Sequence, residues 1–207
     1  EETQKAFYQA GLYNAWERVI AVVVRSGVEF GDQIIFHYRS EKTKELTKLI
    51  EKQPQMIYEA HSTDYQTADN LKQMVNDHFA ILKVGPALTF TFREAVFSLA
   101  FIENELSQIN KIKQPSKLTE VLEKTMVEDP SFWIKYYRGS ENEQKFARKF
   151  SLSDRSRYYW TKPQVRNALQ LMLDNLSQQD LPWSLVNQYF PGQDTRAKRE
   201  KKYTMPN

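Results

Sequence analysis

Two short stretches gather the residues able to do chemistry. The first, "YEAHSTDYQT" (58–67), holds Glu59, His61, Ser62 and Asp64; the second, "FAILKVGPALTF" (79–90), holds Lys83, Gly85 and Thr89. An imidazole between two carboxylates is the raw material of general acid and base catalysis. A lysine followed by glycine and a helix start suits a phosphate, which is met by ammonium charge and by free backbone N–H groups. Glu59, His61 and Asp64 are thus the candidate catalytic residues, and Ser62, Lys83, Gly85 and Thr89 the candidate phosphate-binding ones. The plainer alternative is that these polar side chains hydrogen-bond one another.

A metal site is harder to assemble. A zinc ion needs about three nitrogen, oxygen or sulfur ligands from the protein, and the chain has no cysteine and only three histidines, His37, His61 and His78. His78, in "NDHFAI", precedes an apolar run, at the far end from His61. His61 and Glu29, in "GVEFG", remain as candidate ligands, and they make an incomplete set.

What must position these residues is a set of short strands. Val19 to Val24, "VIAVVV", Met56 to Ala60 and Phe79 to Val84 are β-branched or apolar runs of strand length, predicted to be buried on both faces. Helical patterns alternate with them, over residues 3–18, 41–52, 67–77 and 86–106, the last with Pro86 in its first turn. Strand and helix in this order predict parallel βαβ units, whose strand ends deliver polar residues to one mouth.

From about Asn110 the texture becomes helical, over 116–127, 130–138, 141–150 and 162–176. The expected organisation is an α/β part over 1–110, a small all-helical domain over 111–190, and a basic tail over 191–207. Residues 1–110 carry 11 basic and 15 acidic side chains and residues 111–207 carry 18 and 11, so the halves have opposite net charge. The clusters "FWIKYYRG" and "RSRYYW" resemble stacking platforms for single-stranded nucleic acid, but Trp133, Tyr136 and Tyr137 fall on one helical face, as core or interface aromatics do. No nucleic acid partner is expected. No apolar run approaches the ~20 residues of a membrane span, and no Gly-x-Ser-x-Gly, Gly-x-Gly-x-x-Gly or Gly-x-x-x-x-Gly-Lys-Ser/Thr motif is present.

The two opening stretches, with "VVVRSGVEFG", "DPSFWIKYYRG" and "SLSDRSRYYW", resemble the GatZ/KbaZ family, the non-catalytic subunit of class II tagatose-1,6-bisphosphate aldolase, from about Trp16 to Pro191. The resemblance implies the later part of a longer chain. It implies the last three βα units of an aldolase-type (β/α)₈ TIM barrel, followed by a helical domain. It further implies an accessory role toward a zinc-dependent catalytic aldolase subunit in the cytoplasm, in galactitol or N-acetylgalactosamine breakdown, with the zinc on that partner. By likeness to the catalytic subunits, His61 stands where a metal ligand can sit and Lys83 to Thr89 where a phosphate loop can. A sugar phosphate in the mouth is an expected ligand. The competing reading is a sugar-phosphate lyase or sugar-phosphate-binding enzyme with its own site there.

Overall fold

The computed structural model describes residues 2–191; apart from Pro191, the basic tail lies outside them. The chain divides into two compact units, Glu1–Leu88 and Thr89–Asn207. In chain order the first contains α1 (Glu2–Gln9), α2 (Tyr13–Trp16), β1 (Ala21–Val23), β2 (Glu29–Phe30), β3 (Ile35–Phe36), α3 (Lys44–Ile50), β4 (Ile57–Ala60), α4 (Ala68–Asn76) and β5 (Phe79–Leu82). The expected helix over 3–18 is broken in two where Gly11 turns through φ +71°, a conformation open to glycine.

β1, β4 and β5 form one parallel sheet with β4 in the centre. Tyr58 pairs with Val22 on one side and Phe79 on the other; a register shift after Tyr58 then sets Glu59 against Ile81 and Ala60 against Leu82. Parallel neighbours need crossovers, and α3 and α4 supply them. Their apolar faces give Leu46, Ile50 and Met74 to a core completed by Val28, Tyr38, Tyr58, Ala60 and Phe79.

The strands are not buried on both faces, as their β-branched composition suggests. In β4 burial alternates, with Tyr58 and Ala60 enclosed and Ile57 and Glu59 half-covered, and in the edge strand β1 Val22 and Val23 are 44% and 53% exposed. Helices of this unit cover one face only, so composition matches a two-sided environment that these residues alone do not complete.

The "RSGVEFGD" segment, expected as a loop, contains β2, which pairs antiparallel with β3. Tyr38, just past β3, is enclosed; its hydroxyl donates to Asp77 at 2.7 Å and lies 2.7 Å from the Thr43 hydroxyl. Burial, then the Asp77 charge, raises its pKa, while Thr43 opposes the shift.

The second unit is helical: α5 (Ala87–Gln108, entering from the first unit), α6 (Leu118–Glu128), α7 (Glu141–Phe150), α8 (Pro163–Ser177) and α9 (Trp183–Tyr189). The division falls at Leu88 rather than near residue 110, because α5 gives Val96, Phe97, Ile102 and Leu106 to the same core as Leu122 and Met126 of α6 and Val165 and Met172 of α8. Residues 130–138 are not an α-helix: a single 3₁₀ turn, Pro130–Phe132, is followed by turns that bury Trp133 and Tyr137 and leave Tyr136 outside. The segment stops at Gly139 (φ +100°), where a Cβ would stand 2.5 Å from the Glu143 carboxylate that closes the capping box of α7 with Ser140. No helix among the described residues is long and apolar enough to cross a membrane.

Two buried polar systems pin this core. The Arg93 guanidinium, 2% exposed, donates to Asp154 at 2.8 Å and to the Ser151 carbonyl at 3.1 Å. Glu103 accepts from the Ser116 amide and hydroxyl and from Asn175, tying α5 to the α5–α6 loop and α8. Breaking such a pair leaves a buried charge uncompensated, so Arg93→Ala is expected to lower unfolding free energy by about 3–5 kcal/mol. Chemical denaturation measures this, and the loss should shrink in the Arg93→Met/Asp154→Leu double variant.

Burial pushes the phenols of Tyr137 and Tyr159 up to about 12, against about 10 in an unfolded chain. A raised folded pKa means the folded state holds the proton more tightly. Its contribution to stability is therefore complete below about pH 10 and lost as pH rises toward about 12. Denaturant midpoints compared at about pH 8 and about pH 11 should fall at the higher value, with the tyrosinate absorbance of these residues appearing only on unfolding.

Candidate functional site

The mouth is built where β4 and β5 run out side by side. Their ladder continues past the strand ends: the Lys83 amide donates to the Ala60 carbonyl at 2.9 Å, and Thr63 returns its amide and hydroxyl to the Lys83 carbonyl at 3.3 and 3.0 Å. Beyond it the chain makes a tight turn in which Ser62 and Tyr65 adopt φ +58° and +63°. Left-handed backbone at non-glycine residues costs roughly 1 kcal/mol or more each and persists only where surrounding bonds hold it. The next residues, Thr67 onward, enter α4, with the Thr67 hydroxyl accepting from the Asn70 amide at 3.1 Å.

Asp64 supplies the holding bonds. Only 2% of the residue is exposed. Its two carboxylate oxygens accept from the Gly85 amide at 2.9 and 3.0 Å, and Oδ1 also accepts from the Ala87 amide at 2.9 Å. Pro86, between them, has no N–H. The carboxylate thus takes two backbone donors at the head of a 22-residue helix, where the dipole favours negative charge. Placed for acid or base chemistry by its sequence neighbourhood, Asp64 is in the structure a clamp joining the β4 loop to the start of α5. The Gly85 amide, expected on a phosphate, is bonded to this carboxylate.

The other candidates divide. His61 Nε2 lies 2.8 Å from Glu59 Oε1, and both residues are partly open to solvent, so imidazole and carboxylate do meet. The Lys83 side chain is exposed and makes no ion pair among the described residues. Thr89 lies in the first turn of α5, and Ser62 on the left-handed turn. Glu29 sits on the β2–β3 hairpin, its carboxylate accepting from the neighbouring Phe30 amide at 3.1 Å. Among the described residues no group of three or more histidines or carboxylates is placed to hold a metal ion. His78, at φ +69°, precedes β5 at the opposite end of the sheet and lies 3.6 Å from Glu51.

Sequence reasoning missed the residues that hold this arrangement. Gln66 accepts from the Tyr38 amide at 3.0 Å and donates to the Phe36 carbonyl at 3.1 Å, fastening the hairpin to the mouth loop. Thr63 was unremarkable between more reactive neighbours. An aspartate four residues past a strand end, followed 21 positions on by Gly-Pro at a helix start, is the signal that finds Asp64.

A family model described as "D-tagatose-1,6-bisphosphate aldolase subunit GatZ/KbaZ-like" matches residues 1–207. The chain belongs to the GatZ/KbaZ-like family. It is 45% identical over 203 residues to the D-tagatose-1,6-bisphosphate aldolase subunit GatZ of Escherichia coli O1:K1, covering 98% of this chain and 47% of that protein. The GatZ subunit of Klebsiella oxytoca is 46% identical over 206 residues, covering 100% and 48%. A crystal structure described as a probable tagatose 6 phosphate kinase from Sinorhizobium meliloti superposes with TM-score 0.86 at 39% identity, over 96% of this chain and 50% of that one. The GatZ/KbaZ-like chain therefore spans about half the length of the curated relatives it matches, and shares the α/β architecture of that crystal structure.

Removing the Asp64 carboxylate leaves the Gly85 and Ala87 amides without their charged acceptor. Asp64→Ala is expected to cost about 1–3 kcal/mol of stability and to speed hydrogen exchange at Gly85 and Ala87 by at least about tenfold, measured by exchange-resolved NMR, with distant strand amides far less affected.

Proposed function

We propose that this chain is part of an accessory, non-catalytic subunit that supports the activity and stability of a zinc-dependent class II tagatose-1,6-bisphosphate aldolase. Family membership supplies the aldolase context: relatives 45–46% identical bear the subunit name. The observation that carries the non-catalytic part is Asp64. Its carboxylate occupies the Gly85 and Ala87 amides at the head of α5, the place where an enzyme of this architecture would hold a substrate phosphate. Asp64 is bonded to backbone amides and His61 to Glu59, which supports a barrel that scaffolds rather than reacts.

On this reading β1, β4 and β5 are three strands of a (β/α)₈ barrel. The half-covered face bearing Glu59 and Ile81 would be the barrel interior, and the exposed edge of β1 a pairing edge for another strand. The zinc and the aldol chemistry reside on the catalytic subunit, and the setting is cytoplasmic breakdown of galactitol or N-acetylgalactosamine. His61 and Glu59, a bonded pair at the rim, have no third ligand here, and no step is assigned to them.

Co-expression with a catalytic class II aldolase subunit tests the proposal. The chain should copurify with it and raise its cleavage of tagatose 1,6-bisphosphate, and His61→Ala should preserve that gain within about twofold. Aldol cleavage by this chain alone, with zinc near one per chain and abolished by His61→Ala, would establish the competing enzyme reading.

A further inference from the structure

The accessory reading leaves open which surface meets the catalytic subunit, and the helical unit carries one whose chemistry is specific. Its exposed aromatic residues are not scattered. The Phe132 and Tyr158 rings stack at 4.9 Å with 17° between planes. The Arg155 guanidinium lies 3.3 Å from the Tyr136 ring centre and 6.0 Å from that of Tyr158. Arg157 lies 4.9 Å from the Tyr158 ring and donates to its hydroxyl at 2.9 Å. Tyr136, Arg155, Tyr158, Arg157 and Phe132 therefore form one continuous ladder, with the three rings 53%, 36% and 38% exposed for Tyr136, Tyr158 and Phe132.

The ladder is electrically incomplete. Neither Arg155 nor Arg157 makes an ion pair among the described residues, and the Arg155 Nε is enclosed with no hydrogen-bond partner. The nearby carboxylates point elsewhere: Asp129 accepts from Lys162 at 2.9 Å and from Ser131, and Asp154, fully buried, accepts through Oδ1 from Arg93 and Ser156. Stacking fixes the guanidinium planes in advance, so a carboxylate arriving from outside binds donors whose ordering is already done. Exposed tyrosine beside arginine is also the composition of binding hot spots.

We propose that this ladder docks an acidic segment of the catalytic aldolase subunit, its carboxylates seated on Arg155 and Arg157 and its apolar atoms on Tyr136 and Tyr158. The proposal rests on the accessory reading and adds the contact surface to it. Protein is favoured over nucleic acid by two features. The rings already stack on each other and on guanidinium groups rather than standing free for bases. Residues 89–191 carry 14 basic and 12 acidic side chains, so the described part of this unit lacks the broad positive field that backbone binding uses.

The test is association of the full chain with the catalytic subunit, measured by surface plasmon resonance. Arg155→Glu/Arg157→Glu should weaken binding at least about tenfold and remove its salt dependence, while Lys113→Glu, an exposed lysine outside the ladder, should change it little. Arg157→Glu alone, whose side chain bonds the Tyr158 hydroxyl, serves as the second variant, and melting curves confirm folding of each. Undiminished association of folded ladder variants would overturn this proposal and leave the accessory reading standing. No association by the unaltered chain would overturn both. Tight binding of single-stranded DNA dependent on Arg155 and Arg157 would assign the ladder to nucleic acid and overturn the protein docking.

Discussion

A carboxylate that accepts backbone N–H groups from another loop is a geometric constraint as well as a bond. Asp64 reaches from the end of β4 to the start of α5 and fixes where the helix begins relative to the sheet. The left-handed turns at Ser62 and Tyr65, the Thr63 bonds to Lys83 and the Gln66 clip on the hairpin all converge on this short loop. The same bond decides the chemistry of the mouth. An anion cradle at a helix head can hold a ligand or an internal side chain, and the two exclude each other because they use the same donors.

Such an arrangement fits the proposed accessory role, in which the fold is kept for shape rather than turnover. The parallel ladder still brings strand ends to a common rim, and His61 and Glu59 still stand on it, but their partners come from within the chain. In the helical unit the opposite holds. Asp154 and Glu103 bond to groups inside, whereas Arg155 and Arg157, partly exposed, have no carboxylate partner among the described residues.

Much of the sheet was legible in the sequence because short β-branched runs alternate with amphipathic helices, and all three parallel strands lie within the expected runs. The domain limit was less so: α5 is a continuous helix whose apolar residues face the second core, and composition alone does not reveal which core a boundary helix joins. The β2–β3 hairpin has two-residue strands, too short for any periodicity to register. At the site, the polar residue types do lie where β4 and β5 end. Roles were hidden because a buried Asp64 and a reactive one have the same letter, and only the 2.9 Å bonds to Gly85 and Ala87 separate them. The aromatic clusters mixed core and surface for a like reason: with a 3₁₀ turn in place of an α-helix, Trp133 and Tyr137 turn inward and Tyr136 outward.

The central claim is that the amide cradle at the head of α5 belongs to Asp64 and not to a ligand. Titration of the full chain with tagatose 1,6-bisphosphate, followed by amide chemical shifts, tests it most directly. The account predicts that the Gly85 and Ala87 resonances stay still and that no affinity tighter than about 1 mM is found. Saturable micromolar binding that moves both resonances, with Asp64 displaced from them, would contradict it.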